Sequence, residues 1–254
     1  TASLNLNSWG YNTVPQAGFK GRKGFQPRGK VMGGSSSINA MVYTRGNARD
    51  YDSWAALGNP GWSFQDVLPY FKKSENNECF GATDYRGVGG PLNVSFLRSP
   101  SPLNQLFMKA CNEQGIPSNP DYNGAQQFGV SPGQVTQKGG ERWNAARAYI
   151  DPHRHQSNLN VISHAHATQI MFEGKRAVGI KYKVSGVNHE VRARKEVIVA
   201  GGAFGSPQLL MLSGVGPALH LQDMGIPLFH ELPGVGQNLQ DHITTVLIYK
   251  TQKI

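Results

Sequence analysis

The feature that most constrains this chain is a run of two glycines and three serines, Gly33 to Ser37, followed by a mostly apolar stretch, Ile38 to Val42. Glycine permits positive φ angles and lets a ligand approach backbone N–H groups closely. Serines at a helix start cap its N–H groups or donate to an anion. The run therefore predicts an anion-binding turn leading into a buried helix, in which Asn39 needs a polar partner. From the residues alone, a plain surface loop stays open as the commoner meaning of such a run.

A second glycine pair, Gly201-Gly202, follows the apolar run Glu196–Ala200, which has the composition of a fully buried strand. A helix is predicted to start after it, at Ser206-Pro207. A strand, a glycine turn and a helix in this order direct helix-terminal N–H groups at an anionic or polar ligand. The same order also fits a tight corner without a ligand, and the residues alone favour neither.

Composition sets wide limits on function. A chain of 254 residues can bury one large core or two small ones. Its net charge of +9 includes short basic groups such as Lys20-Gly-Arg-Lys23 and Arg192-Ala-Arg-Lys195. Scattered basic residues of this kind predict a solvated surface with attraction for an anionic cofactor, and no nucleic-acid partner.

The sequence also bears on location. No apolar run approaches the ~20 residues of a membrane helix, and the N-terminus lacks a basic region followed by an apolar core, so no signal peptide is expected. Two cysteines, Cys79 and Cys111, are too few for a disulfide framework or a metal cluster and indicate a reducing compartment. We therefore expect a cytoplasmic protein, with peripheral attachment to a membrane left open.

Hydrophobic periodicity, caps and breakers predict a mixture of helices and strands. Ser63 and Ser101-Pro102 have the residue types that start helices. The predicted helices are 48–57, 64–72, one that begins at 101–102, 141–150 and 217–224. The predicted strands are 91–96, 130–135, 159–162, 167–172, 177–184, 189–194, 196–200, 227–231 and 243–249.

Metal and dyad chemistry are not expected. The histidines include two pairs with the spacing of one strand face, His153 with His155 and His164 with His166. No Cys, Asp or Glu completes a known metal motif around them, so no metal site is expected. Asp241-His242 has the residue types of a catalytic dyad, but no nucleophile motif such as G-x-S-x-G accompanies it, so a structural role is expected.

Two longer motifs resemble the signatures of a known family. The stretch Gly29-Lys-Val-Met-Gly-Gly-Ser-Ser-Ser-Ile-Asn39, with Tyr43, Gly46 and Asp50-Tyr-Asp-Ser-Trp54 after it, resembles the first signature of the glucose–methanol–choline (GMC) family of FAD-dependent oxidoreductases. The stretch Gly202-Ala-Phe-Gly-Ser-Pro-Gln-Leu-Leu-Met-Leu-Ser-Gly-Val-Gly216 is similar to the second. Both are long and in the expected order, and the chain looks most like bacterial choline- and alcohol-dehydrogenase-like members.

The resemblance implies an α/β (α+β) fold, with an incomplete Rossmann-like FAD-binding lobe and a second, antiparallel-sheet substrate lobe. Because no G-x-G-x-x-G turn precedes Gly33, the chain is expected to be a central segment with complementary N- and C-terminal segments as partners. The implied divisions are 1–90, part of the FAD-binding lobe and lid; 91–157, part of the substrate-binding lobe; 158–233, part of the FAD-binding lobe; and 234–254, the return to the substrate lobe.

The activity that the resemblance implies is oxidation of an alcohol to an aldehyde or ketone by hydride transfer to flavin N5, with the electron acceptor unassigned. A GMC-type oxidase, a hydroxynitrile lyase and a non-catalytic protein that kept the fold stay open as alternatives. The family's catalytic base is a histidine near the C-terminus that nothing here matches. No catalytic residue is therefore assigned, and this segment alone is expected to be nearly inactive.

The resemblance also implies which residues bind FAD. Ile38 stands where some members carry a histidine bonded covalently to the cofactor, so noncovalent FAD is expected. Residues of the first motif would line the pyrophosphate and flavin, one strand residue would meet the adenine through its backbone, and the second glycine pair would lie on the adenosine side. The implied cofactor-binding residues are Gly33, Gly34, Ser35, Ser37, Asn39, Ala40, Met41, Ala167, Gly201, Gly202 and Ala203.

Overall fold

The computed structural model of the protein describes residues 7–242, 244–246 and 248. The chain divides into two compact units, Thr1–Val161 and Ile162–Ile254. Each unit contains both helices and strands, which confirms the predicted mixed class. The division into four segments stays a prediction.

The first unit combines helices with very short strands. Its longer helices are α1 (Ala48–Ala56), α2 (Phe64–Ser74) and α3 (Pro102–Glu113), and its strands are β1 (Tyr11–Asn12), β2 (Phe25–Gln26), β3 (Glu75–Asn77), β4 (Leu92–Phe96), β5 (Gln134–Val135), β6 (Gln137–Lys138) and β7 (Glu141–Arg142). Single helical turns cover Ala17–Phe19, Gly34–Ser37, Ala146–Ile150 and Asp151–His153. β1 pairs with β2 and β6 with β7, while β4 lies between a parallel β3 and an antiparallel β5.

Local capping explains where the helices begin. The Ser63 side chain accepts a hydrogen bond from Asp66 N, and the Asp66 carboxylate accepts one from Ser63 N, so a complete capping box starts α2. The Ser101 hydroxyl accepts from Leu103 N, with Pro102 as the first residue of α3. Both predicted helix starts are confirmed.

Charged side chains occupy the interior of the first unit. Glu75 and Arg86 are each 0% exposed and form an ion pair, and Arg45, at 6%, donates to Glu75 Oε2 over 2.9 Å. Arg86 also donates to Asp121 Oδ1 over 2.6 Å and to Gln134 Oε1 over 2.8 Å. These bonds join β3, β5 and the loops around them into one buried polar network.

The second unit is built on an antiparallel sheet. Its strands are β8 (Ala165–Glu173), β9 (Arg176–Val184), β10 (Val187–Arg192), β11 (Val215–Gly216) and β12 (His230–Glu231), and its helices are α4 (Gly202–Leu212) and α5 (Ala218–Asp223). The sheet order is β10-β9-β8, and β11 pairs with β12 in parallel. The buried side chains here are mainly apolar, among them Ile170, Val215 and Leu221. The strands predicted at 167–172, 177–184 and 189–194 are confirmed with shifted bounds.

The predicted buried helix after Ser37 is wrong. The helical turn ends at Ser37, and Val42 is 59% exposed. Met41 has a φ of +63°, its N–H donates to Asn39 Oδ1 over 3.0 Å, and its carbonyl accepts from Thr136 N over 2.8 Å. Pairing with the chain around β5 therefore replaces the helix.

Five other predicted elements differ from the structure. Glu141 and Arg142 form β7 instead of a helix, because Gly139-Gly140 makes a hairpin turn with positive φ at both residues. Residues 159–162 and 196–200 form no strand, and Ile198 is 79% exposed. The strands predicted at 130–135 and 227–231 shrink to β5 and β12. The strand predicted at 243–249 falls largely outside the described residues.

The failed strand at 196–200 has a physical reason. An apolar strand is buried when neighbouring strands pair with it and other elements cover its faces. In the described part of the chain, no strand forms a ladder with these residues, so their composition alone does not make them a strand.

Candidate functional site

The first glycine turn presents an open backbone. Gly33 and Gly34 both have positive φ, +85° and +55°, and the helical turn Gly34–Ser37 follows. A Cβ added to Gly34 would meet no atom within 4 Å, whereas one added to Gly29 would overlap the carbonyl of Gly34. Gly29 thus lets the preceding chain pass directly against the turn, while the space beside Gly34 stays open for a ligand.

The serine hydroxyls hold this turn together. Ser36 Oγ donates to Gly33 O over 2.5 Å and accepts from Ala145 N over 2.9 Å. Ser37 Oγ donates to Met32 O over 2.7 Å, and Ser35 Oγ accepts from Gly29 N over 3.2 Å. Because the hydroxyls have these internal partners, the backbone is the part of the turn that is best placed to meet a ligand.

Two side chains from more than a hundred residues away complete the support. Arg142 Nη1 donates to Ser36 O over 3.0 Å and to Asn39 Oδ1 over 2.9 Å, and Arg142 Nη2 donates to Asn39 O over 2.9 Å. Asn144 Nδ2 donates to Ser37 Oγ over 2.9 Å. The turn is therefore fixed in shape by protein groups, with a guanidinium cation beside it.

Some of the predicted cofactor-binding residues of the first motif lie at the protein surface. Asn39 and Ala40 are exposed, and Met41 is half-buried. Asn39 has its polar partners, as expected, but they are Arg142 and Met41 N. The first unit thus brings Gly33, Gly34, Ser35, Ser37, Asn39, Ala40 and Met41 into one turn.

The second glycine turn opens helix α4. Gly201 is the N-cap residue, with no side chain available to cap the helix. Gly202 has a φ of +80°, and a Cβ there would meet no atom within 4 Å. The helix starts four residues earlier than predicted, at Gly202 instead of Ser206-Pro207. The first N–H groups of a helix have no partner within it, and the helix dipole makes them attractive to anions.

Ala167 lies on β8 in the same unit. It is exposed, pairs with Tyr182 and precedes a register shift in the ladder with β9. Helix α4 packs on β8, and Ser213 at its end donates from Oγ to Leu209 O over 2.6 Å and accepts from Ile170 N over 2.8 Å. The second unit therefore carries Ala167 and Gly201–Ala203 on two elements that pack together.

The titratable groups of the described chain include no evident general base. All eight histidines are exposed. Burial by itself raises the pKa of Glu75, but hydrogen bonds from Arg86, Gly87 N–H and Asn77 outweigh it and hold that pKa below its usual value. Burial raises the pKa of Cys79 to about 11, so its thiol is protonated at neutral pH. We therefore assign no catalytic residue.

The chain is similar to known proteins over most of its length. The model of the GMC oxidoreductase family matches residues 12–244. The chain belongs to the GMC oxidoreductase family. It is 48% identical over 236 residues to human mitochondrial choline dehydrogenase, covering 93% of this chain and 40% of that enzyme, and 46% identical over 248 residues to alcohol dehydrogenase [acceptor] of Pseudomonas putida, covering 97% and 45%.

Two solved structures have a fold similar to that of this chain. An FAD-dependent oxidoreductase from Chaetomium thermophilum superposes with a TM-score of 0.88 at 37% identity, covering 94% of this chain and 44% of that one. Pyridoxine 4-oxidase from Mesorbium loti gives a TM-score of 0.84 at 31% identity, covering 90% and 45%. The chain thus spans less than half the length of these relatives.

In this GMC oxidoreductase chain, the sequence motifs predict the two glycine turns but not the side chains that hold the first turn in shape. Arg142 and Asn144 carry no local signal, because their partners are 103 to 107 residues distant. The one available clue is Gly139-Gly140, which predicts the hairpin that presents Arg142. Among the described residues, no group of three or more potential metal ligands occurs, and no described helix has the length and apolar character to cross a membrane.

Proposed function

We propose that this chain is the central part of an FAD-dependent enzyme that oxidises an alcohol to an aldehyde or ketone. The observation that supports it most is the open, preformed backbone at Gly34, held in place by side chains that do not enter the open space. Family membership and the names of the relatives, choline dehydrogenase and alcohol dehydrogenase, support the reaction class.

Each glycine turn, taken by itself, has features that suit a phosphate group. A phosphate group needs backbone N–H donors and nearby positive charge. The first turn offers open space beside Gly34, whose own N–H donates to Val31 O over 2.8 Å, with the Arg142 guanidinium bonded to the same turn, and the second offers the uncapped start of α4 at Gly202. We propose that the first turn holds the pyrophosphate and flavin side, that Gly201–Ala203 hold the adenosine side, and that the Ala167 backbone meets the adenine.

FAD, when bound, supplies the acceptor for the hydride of the alcohol carbon at flavin N5. The protein's part is to orient the cofactor, and Ile38 offers no group for a covalent bond to it, so we propose noncovalent binding. A base must also take the hydroxyl proton within hydrogen-bond reach of the substrate. We propose that this base belongs to a part of the enzyme outside these 254 residues.

Equilibrium dialysis of the purified chain against FAD tests the cofactor assignment. We expect FAD to bind and Gly34→Val to weaken binding at least about tenfold, because its side chain fills the open space beside the turn. Gly58→Val is the matched control, since Gly58 also has a positive φ and open space but lies at the end of α1.

Two results contradict the proposal. If Gly58→Val weakens FAD binding as much as Gly34→Val, the first turn is not the cofactor site, and if the chain fails to bind FAD, its residues do not form a cofactor site by themselves. Dye-linked assays with a panel of alcohols test the missing base: we expect little or no turnover by the chain alone, and vigorous turnover would show that the base lies within it.

A further inference from the structure

The chain has an unusual backbone conformation just after the first glycine turn. Among the described residues, five that are not glycine have a positive φ: Lys20, Met41, His164, Ser185 and Asn238. Met41, at +63°, is the only apolar one of the five. Residues such as asparagine adopt this left-handed conformation more readily, and it costs most other residues free energy. A methionine is therefore held in it only where its surroundings impose it.

Hydrogen bonds to both peptide groups and to the side chain impose this conformation on Met41. Its N–H donates to Asn39 Oδ1 over 3.0 Å, and its carbonyl accepts from Thr136 N over 2.8 Å and from Thr136 Oγ1 over 3.3 Å. Gln137, which is 9% exposed, donates from Nε2 to Met41 Sδ over 3.6 Å. A thioether is a weak acceptor, so the bonds to the two peptide groups fix Met41 more strongly than the bond to its sulfur.

The partners of Met41 are joined to one another by the hairpin of β6 and β7. Trp143 N donates to Thr136 O over 2.9 Å beside this hairpin. Arg142, at the end of β7, donates to Asn39 Oδ1 and to Asn39 O, each over 2.9 Å. These contacts close a ring that runs from Asn39 through Met41, Thr136, Trp143 and Arg142 back to Asn39. Within the ring, Met41 cannot leave its left-handed conformation without breaking a hydrogen bond.

Ala40 lies between two residues of the ring, but the protein does not use its peptide groups. Among the described residues, neither the N–H nor the carbonyl of Ala40 has a hydrogen-bond partner. The N–H groups on either side do have one, because Asn39 N donates to Ser35 O over 2.9 Å and Met41 N donates to Asn39 Oδ1. Backbone polar groups need partners, so the donor and the acceptor of Ala40 are available to a ligand or to water.

We propose that Met41 is a positioning residue for the cofactor, and that its left-handed backbone holds the peptide groups of Ala40 in the orientation that FAD binds. The inference rests on the proposed function, in which this turn holds the flavin side of FAD. It adds that Met41 acts through its backbone conformation and not through contact of its side chain with FAD. Fixing the backbone favours binding because a preformed group does not have to be ordered when the ligand arrives.

Two isomeric substitutions test the proposal by equilibrium dialysis of the full chain against FAD. Leucine and isoleucine have the same composition and apolar character, but isoleucine is branched at Cβ and is rarely left-handed. We expect Met41→Ile to bind FAD at least about fivefold more weakly than Met41→Leu, because its backbone relaxes and FAD binding has to restore the left-handed conformation. Equal binding by the two variants overturns the proposal.

A third substitution separates the backbone of residue 41 from its side chain. Met41→Asn introduces a polar group and removes the thioether, but asparagine adopts the left-handed conformation more readily than isoleucine does. We therefore expect Met41→Asn to bind FAD more tightly than Met41→Ile. The opposite order would show that FAD binding depends on an apolar side chain at this position, and it would overturn the proposal.

The spectrum of the bound flavin separates positioning from a general loss of stability. At saturating FAD, we expect the visible absorption band of the bound flavin to differ between Met41→Ile and Met41→Leu, because the groups around the cofactor are placed differently. If the two bands are identical and only the occupancy differs, residue 41 has a structural role alone and the proposal is wrong. Circular dichroism checks that all three variants are folded.

Hydrogen exchange without FAD separates this inference from the cofactor assignment. The amides of residues 38–43 should exchange about fivefold faster in Met41→Ile than in Met41→Leu, because relaxation at residue 41 opens the ring. If the wild-type chain binds no FAD, the proposed function fails for the chain by itself, but exchange still reports whether Met41 fixes this segment. Equal exchange in the two variants overturns the positioning role whether or not FAD binds.

Discussion

The two glycine turns present similar open backbone but differ in their support. Around Gly34, serine hydroxyls, Arg142 and Asn144 make a network of hydrogen bonds to the turn. At Gly202, no side chain caps the start of α4. The first turn therefore has its shape before any ligand arrives, whereas the second has the intrinsic attraction of a helix start and little to fix it.

The interiors of the two units also differ, because one is mainly polar and the other mainly apolar. Buried charges and amides link the loops of the first unit, while apolar side chains and a three-stranded ladder hold the second. Polar networks specify one geometry because every member needs its partners, whereas apolar packing tolerates more change. From this contrast we expect a substitution in the interior of one unit to lower the stability of that unit and to leave the stability of the other unchanged.

The largest expected effect is that of Glu75→Ala. Removing this carboxylate leaves Arg86 and Arg45 buried with fewer partners, so the first unit should lose about 3–5 kcal/mol of unfolding free energy. All four tryptophans lie in the first unit, so urea denaturation followed by tryptophan fluorescence measures it. Glu141→Ala is the control, because Glu141 pairs with Arg147 at 2.6 Å but in an exposed position, and its loss should cost less than about 1 kcal/mol. Equal effects would mean that burial of the pair does not matter.

Acid should act on the same carboxylate. Because hydrogen bonds hold the pKa of Glu75 below its usual value in the folded protein, its contribution to stability is complete above the ordinary pKa of a free glutamate. It is lost as the pH falls below that value toward the folded-state pKa. Urea midpoints from neutral pH down to strongly acidic pH should therefore fall more steeply for the wild type than for Glu75→Ala. Parallel curves would contradict this.

The matching change in the second unit is Leu221→Ala. Leu221 is 0% exposed, and truncating such a residue costs roughly 2–4 kcal/mol. Hydrogen exchange followed by mass spectrometry should show lost protection in α5 and its surroundings, while tryptophan fluorescence reports an unchanged first unit. Loss of protection in both units would show that they unfold together and would break the comparison.

Sequence patterns predicted the helices and strands whose formation depends on neighbouring residues in the chain. The caps at Ser63 and Ser101 and the alternating strands of the second unit are local signals, and the structure bears them out. The runs at 38–42 and 196–200 were mispredicted because apolar composition reports that a segment can be buried, not which element buries it. The motifs located both glycine turns because the glycines are adjacent in sequence. They missed Arg142 because its partners in the first turn lie more than a hundred residues away along the chain.

Arg142→Met should have a smaller and more local effect. It removes three hydrogen bonds to Ser36 and Asn39, so we expect the amides of residues 33–41 to exchange about tenfold faster, the equivalent of about 1.4 kcal/mol. Arg154→Met is the control, because Arg154 donates to Asp151 Oδ1 over 2.8 Å, a contact that includes neither the turn nor the hairpin that presents Arg142. If exchange at 33–41 is unchanged, Arg142 does not preorganise the turn.

Alanine at Gly34 and at Gly202 should have effects of about the same size or smaller, because an added Cβ meets no atom within 4 Å and only backbone strain is introduced. A left-handed conformation costs a non-glycine residue roughly 1–2 kcal/mol. The turn at Gly34 is held by side chains and has to bear that strain, but α4 can begin one residue later and release it. We therefore expect Gly34→Ala to lower the urea midpoint of the first unit, while Gly202→Ala changes only the exchange of the first amides of α4. Equal destabilisation of the two units would mean that the second turn is as tightly fixed as the first, by contacts other than a side-chain cap.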